Sequence, residues 1–72
     1  MGGIHINEDK IKLKKRIQHW AEHNYEHTAR LQESAKTADE LGLHKGAQAL
    51  LAAAAAGRIV SDELRKAETS IF

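Results

Sequence analysis

The strongest constraint on this chain is a long run of helical apolar spacing that no proline interrupts. Between Glu8 and Leu41, apolar residues recur every three or four positions on both sides of a polar middle, with Lys, Glu, Gln and Arg between them. This pattern predicts one long amphipathic helix over residues 8–41. Asn7 is a suitable N-cap for that helix, so residues 1–6 are expected to form a flexible head.

The stripe can be written as a heptad with Ile17 at position a. Its two ends are aliphatic, whereas its middle carries the polar side chains of Asn24 and His27. Trp20 falls at position d and is expected to anchor the core. The series read Lys10, Ile17, Asn24, Leu31 and Ala38 at a; Leu13, Trp20, His27, Ser34 and Leu41 at d; Ala21, Thr28 and Ala35 at e.

A glycine marks the end of the first helix. Gly42 lies between two leucines and predicts a residue in the left-handed conformation just beyond the helix. A second, alanine-rich helix is predicted over residues 43–69. Gly57 costs about 1 kcal/mol relative to alanine inside a helix, so a break with a third short helix from Ser61 is the alternative. The apolar phase continues across Gly57, which favours a single helix.

The short link at Gly42 predicts an all-α fold: one antiparallel two-helix hairpin, with residues 1–72 as a single domain. Two helices leave each apolar stripe half covered. A homodimer forming a four-helix bundle is therefore the predicted completion, with a foreign partner protein as the alternative. Pairing outward from the turn predicts four contacts between the helices: Leu31–Ala54, His27–Gly57, Asn24–Ser61 and Trp20–Leu64.

Charge and composition exclude several functional classes. The chain has 11 Lys or Arg residues against 10 Asp or Glu, which predicts no binding to nucleic acid or to a membrane surface. Without cysteine, disulfides and thiolate metal sites are excluded. The N-terminus has no signal-peptide pattern, so a cytoplasmic location is expected. No catalytic triad or phosphate-binding glycine loop is recognisable, so the sequence does not predict an enzyme.

Three histidines at helical spacing are the main functional signal. His19, His23 and His27 are four residues apart, so all three fall along one slowly drifting line on the first helix. Two imidazoles one turn apart can share a metal ion. We therefore predict a divalent transition-metal site (Zn, Ni, Fe or Cu), with His23 and His27 as the first pair and His19, nearer solvent, as the weaker member.

The same histidines have structural interpretations. A surface pair of histidines one turn apart often has no function. His27 occupies a core position of the heptad, where Asn24, Thr28 and Ser61 offer hydrogen-bond partners. A polar layer of Asn24 and His27 that specifies how the chains associate is thus the alternative to a metal site.

The segment His19-Trp20-Ala21-Glu22-His23-Asn24-Tyr25-Glu26-His27, followed by a long helix and Gly42-Leu43, resembles a little-characterised family of helical-hairpin domains. That family carries an H-W-x-x-H-N-x-x-H segment, a Gly-Leu turn and a second helix rich in alanine and leucine. The resemblance covers roughly residues 10–68. It implies a role in metal handling or cofactor maturation, with His19, His23 and His27 as ligands.

The leading hypothesis is therefore a small, non-catalytic metal-binding protein for storage, delivery or sensing. The alternative is a structural or interaction module. A non-heme metalloenzyme built from paired hairpins is less favoured, because the first helix lacks the Glu-x-x-His set that such bundles use.

Overall fold

The computed structural model describes the backbone of residues 2–71 and the side chains of residues 7–71. It contains two helices, α1 (Gly2–Glu40) and α2 (His44–Thr69), and no strand within the described backbone. The helices pack against each other along an elongated body of 62 × 14 × 11 Å. The predicted all-α helical hairpin is confirmed. In the described part of the chain, neither helix is long and apolar enough to cross a membrane.

The first helix begins earlier than the sequence suggested. It starts at Gly2, so Asn7 is inside α1 and does not cap it, and the predicted flexible head is wrong for the backbone of residues 2–6. Met1 lies outside the described residues. The physical reason is that no proline stops the helix upstream of Asn7, and each residue added to an existing helix gains a backbone hydrogen bond.

The turn between the helices is a Schellman motif. Gly42 has a φ of +80°, which confirms the predicted left-handed residue. The backbone N–H of Leu43 donates to the carbonyl of Ala38 at 2.8 Å, and that of Gly42 donates to the carbonyl of Asp39 at 3.0 Å. These two bonds satisfy carbonyls that the end of a helix would otherwise leave without partners. The chain reverses direction within three residues because glycine accepts this conformation without strain.

The buried seam between the helices follows positions a and e of α1 rather than a and d. On the other side of the seam, α2 contributes alanines at heptad spacing. Seven residues of the described chain are buried: Ile17, Ala21, Thr28, Ala35, Ala38, Ala47 and Ala54.

The predicted core role of position d is therefore wrong. Trp20 is 49% exposed, Leu13 is 43% exposed and Leu41 is 70% exposed. The reason is steric: a seam lined by alanine lets the two helices approach closely, and the bulky side chains at d would hold them apart. The larger apolar groups consequently lie beside the seam instead of inside it.

The glycines near the turn yield a matched pair of substitutions. Gly42→Ala should lower the free energy of unfolding by about 1–2 kcal/mol, because alanine must then adopt the left-handed conformation. Gly46→Ala should be neutral or raise that free energy by up to about 1 kcal/mol, because a Cβ there would meet only the Cβ of Leu43, at 3.8 Å. Urea denaturation at one protein concentration measures both. A Gly42→Ala variant as stable as Gly46→Ala would contradict the structure of the turn.

Candidate functional site

A polar layer crosses the middle of the seam and holds the two helices in register. The side-chain amide of Asn24 donates to the carbonyl of Gly57 at 2.6 Å and to Oγ of Ser61 at 2.7 Å. The predicted pairing of Asn24 with Ser61 is confirmed. Both N–H donors of the amide are used inside the chain, so the layer aligns α1 with α2.

Thr28, rather than His27, is the residue of α1 that faces Gly57. Its hydroxyl donates to the carbonyl of Asn24 at 2.9 Å. A Cβ at position 57 would overlap Oγ1 of Thr28, so glycine is required for this close approach. The helix α2 continues through Gly57, which confirms the prediction of one helix rather than two. The predicted core position of His27 is wrong: its side chain is exposed, because the buried seam follows position e of α1 rather than position d.

The three histidines form an exposed row on the outside of α1. The ring centroids of His19 and His23 are 4.3 Å apart with planes tilted by 53°, and those of His23 and His27 are 6.4 Å apart with a tilt of 44°. All three side chains are exposed. The helix thus brings the three imidazoles into one row, as the four-residue spacing predicted. The nearer pair is His19 and His23, whereas the sequence favoured His23 with His27.

Carboxylates of the same chain do not complete this row. Glu22 and Glu26 line a shallow cleft with Tyr25 and Arg65. Asp62 lies along the groove on the Tyr25 side of the hairpin. The carboxylate of Glu63 is 3.0 Å from the ammonium of Lys66. Among residues 7–71, no group of three or more His, Asp or Glu side chains converges into a metal-binding cluster.

The row can therefore supply two imidazoles to one metal ion, with further ligands from water or from another molecule. Transition-metal sites in proteins commonly combine imidazoles with water, and open coordination positions favour exchange of the ion. His44 is separate from this row: it lies at the turn, where its Nδ1 is 2.7 Å from Oδ1 of Asp39.

A groove on the opposite shoulder of the hairpin has no comparable chemistry. It encloses about 380 Å³ beside Tyr25, between Arg58 and Arg65, and Asp62 lies between those two cations in sequence. Its mixture of one carboxylate and two guanidinium groups, open to solvent, does not select a ligand of one charge. The histidine row remains the better candidate.

A family model for a domain of unknown function, DUF8180, matches residues 13–71. The chain belongs to the DUF8180 family. The matched DUF8180 region contains both sides of the seam, the polar layer at Asn24 and all three histidines of the row. No curated protein and no solved structure matches the chain.

Sequence reasoning missed the contact between Thr28 and Gly57. The available signal was the run of small residues at position e, where Ala21, Thr28 and Ala35 follow one another at seven-residue intervals. Small residues on one helix opposite alanine and glycine on the other mark the line of closest approach. In this DUF8180 chain that line decides which faces remain available for binding.

The close contact in the polar layer predicts a coupling between two positions. Gly57→Ala should destabilise the protein by about 1–3 kcal/mol despite the better helix propensity of alanine, because the added methyl overlaps the Thr28 hydroxyl. In a Thr28→Ala background the same change should be neutral or stabilising by up to about 1 kcal/mol. A double-mutant cycle in urea measures the coupling. Equal effects of Gly57→Ala in both backgrounds would contradict the contact.

Proposed function

We propose that this protein binds a divalent transition metal through the imidazoles of His19, His23 and His27. The observation that supports the proposal is the exposed row of imidazoles, with the rings of His19 and His23 only 4.3 Å apart. Imidazole nitrogen is a favoured ligand of Zn, Ni and Cu, and of Fe in mixed sites. His23 is central because it has an imidazole on either side.

The placement of the row suits storage, delivery or sensing rather than catalysis. The ligands lie on a continuous helix, whose backbone holds their spacing before any metal arrives. They are also exposed to solvent, so an ion can enter and leave without opening the protein. The resemblance to helical hairpins with an H-W-x-x-H-N-x-x-H segment supports the same assignment, because the three histidines of that segment are the three of the row.

The alternative role as an interaction module receives different support. Asn24 donates both amide hydrogens to α2 of its own chain, and His27 does not join it in the seam. A polar layer of Asn24 and His27 between chains is therefore a weaker proposal than metal binding. The exposure of Trp20 indicates a different kind of association, through the apolar side chains beside the seam.

The proposal predicts a metal affinity that depends on His23. Untagged protein, stripped with a chelator, should bind Zn²⁺, Ni²⁺ or Cu²⁺ in calorimetric titrations. His23→Ala should weaken the tightest of these affinities by about tenfold or more. The metal then loses one imidazole ligand, and neither His19 nor His27 has another imidazole of the row one turn away. Circular dichroism before each titration checks that helicity is retained.

His44→Ala is the matched control for this titration. It also removes one imidazole from the chain, but at the turn rather than in the row. Its metal affinity should equal that of the unsubstituted protein. Equal affinity of the His23→Ala variant and the unsubstituted protein, or no measurable binding of any of the three metals, would overturn the proposal.

A further inference from the structure

The bulky apolar side chains that the seam leaves outside lie on both shoulders of the hairpin: Leu13, Trp20 and Leu41 on one side, and Ile11, Tyr25 and Leu51 on the other. Because α1 meets α2 along positions a and e, position d lies on one shoulder of the seam and Tyr25 lies on the other. Val60 of α2 is on the d side, since Arg58 and Asp62 line the groove beside Tyr25. The Trp20 face is defined here by Leu13, Trp20, His27, Ser34, Leu41 and Val60.

The Trp20 face exposes large apolar side chains to water, which is unfavourable in free energy. Trp20 is 49% exposed, Val60 is 47% exposed and Leu41 is 70% exposed, whereas no large side chain of the described residues is fully buried. Small chains with so little core commonly reach stability by oligomerisation. The two helices lie side by side over the 26 residues of α2, about 39 Å, and the hairpin is 14 Å wide, so one broad side is of the order of the roughly 600 Å² per partner at the lower end of standard interfaces.

We infer that a second copy of this chain packs antiparallel on the Trp20 face, about a two-fold axis beside His27. Along position d of α1, Leu13 and Leu41 lie at equal distances from that residue, and so do Trp20 and Ser34. An antiparallel copy centred on His27 pairs Leu13 with Leu41, and it pairs the large ring of Trp20 with the small side chain of Ser34. A two-fold interface requires this kind of self-complementarity, because each contact occurs twice.

The position of the axis also agrees with the shape of the hairpin. The buried stretch of α1 runs from Ile17 to Ala38, and His27 lies at its middle. The polar layer at Asn24 is at nearly the same level. A two-fold axis through the centre of the seam therefore superimposes the buried stretches of the two copies, while residues 2–13 of each α1 extend beyond α1 of the second copy.

Charge on α1 favours the antiparallel orientation. About an axis at His27, residues 14–26 face residues 28–40 of the second copy; the first segment carries three basic side chains against two acidic ones, and the second carries three acidic against two basic. An antiparallel copy therefore places a segment of small positive charge over one of small negative charge. A two-fold axis parallel to the helices would instead place α1 over α2 of the second copy. Residues 44–56 of α2 carry one charged side chain, and residues 57–69 carry three basic and three acidic ones, so neither half of α2 has a net charge that matches α1. Complementary charge selects orientation more than it adds affinity.

This arrangement adds a shared metal site to the proposed function. That site rests on the metal binding proposed above, whereas the dimer does not. The two His27 residues face each other at the axis, and each His23 lies about 6 Å from it along the helix. Four imidazoles would then be available where one chain supplies two, which is the ligand number of a tetrahedral metal site. The dimer itself needs no metal, because the apolar pairs lie on both sides of the histidines.

The first test is solution mass, measured by sedimentation equilibrium over a range of concentrations in the presence of a chelator. The unsubstituted protein should have the mass of two chains. Trp20→Glu should raise the dimer dissociation constant by about 30-fold or more, the effect expected of a central aromatic in an interface. Tyr25→Glu is the matched control, since it changes an aromatic residue that is 67% exposed on the opposite shoulder; it should leave the constant unchanged.

The second test measures orientation with spin labels at single cysteines, which is direct because the chain has none of its own. Labels at Glu26→Cys should be within about 20 Å of each other across the axis. Labels at Glu40→Cys should be about 40 Å apart, because each lies about 20 Å from the axis at 1.5 Å per residue. Short distances for both labels would mean an axis along the helices and would overturn the antiparallel arrangement.

The outcomes separate this inference from the proposed function. A monomer at all concentrations, or a dimer that Tyr25→Glu disrupts and Trp20→Glu does not, overturns the inference even if metal binds. A dimer of the expected orientation that binds no metal supports the packing and refutes the proposed function. If both hold, Zn²⁺ or Ni²⁺ titrates at one ion per two chains. One ion per chain, held equally by the Trp20→Glu monomer, would overturn the shared site.

Discussion

The hydrogen bonds from Asn24 to Gly57 and Ser61 are the interaction on which the rest of the structure depends. The alanines of the seam are nearly interchangeable, so packing alone would distinguish poorly between neighbouring alignments of the two helices. A slip by one heptad toward the turn would place the Asn24 amide opposite Leu50 and Ala54 and leave its partly buried donors without partners, at a cost of about 1–3 kcal/mol. The polar layer therefore selects one register from several with similar apolar contacts.

The register between the helices determines which side chains of α1 are exposed on the surface. Once Thr28 contacts Gly57, position e faces α2 and position d moves to the shoulder of the seam. Trp20 and His27 become surface residues, and His19 and His23 point further outward. The histidine row and the Trp20 face are thus consequences of the same close approach. A proposed metal site and a proposed dimer interface lie side by side because the helices pack through their smallest residues.

Much of this fold follows from sequence patterns alone. Helical spacing without proline predicts the helices, Gly42 predicts the left-handed turn, and the continuous phase across Gly57 predicts a single second helix. The pairing of Asn24 with Ser61 follows from counting outward from the turn. The start of α1 at Gly2 does not follow, because a residue suited to capping, such as Asn7, can also lie inside a helix when nothing blocks its continuation.

The sequence by itself determined the long helical pattern, the reversal at Gly42 and the line of three histidines, because helical spacing and glycine conformation are local properties. Only the tertiary structure decided whether position d or position e would be buried beside position a. Positions d and e both fit one apolar stripe, and d carries the more hydrophobic residues. Packing chose e because Ala21, Thr28 and Ala35 allow the backbones to approach, a property of two helices together that neither helix reveals alone.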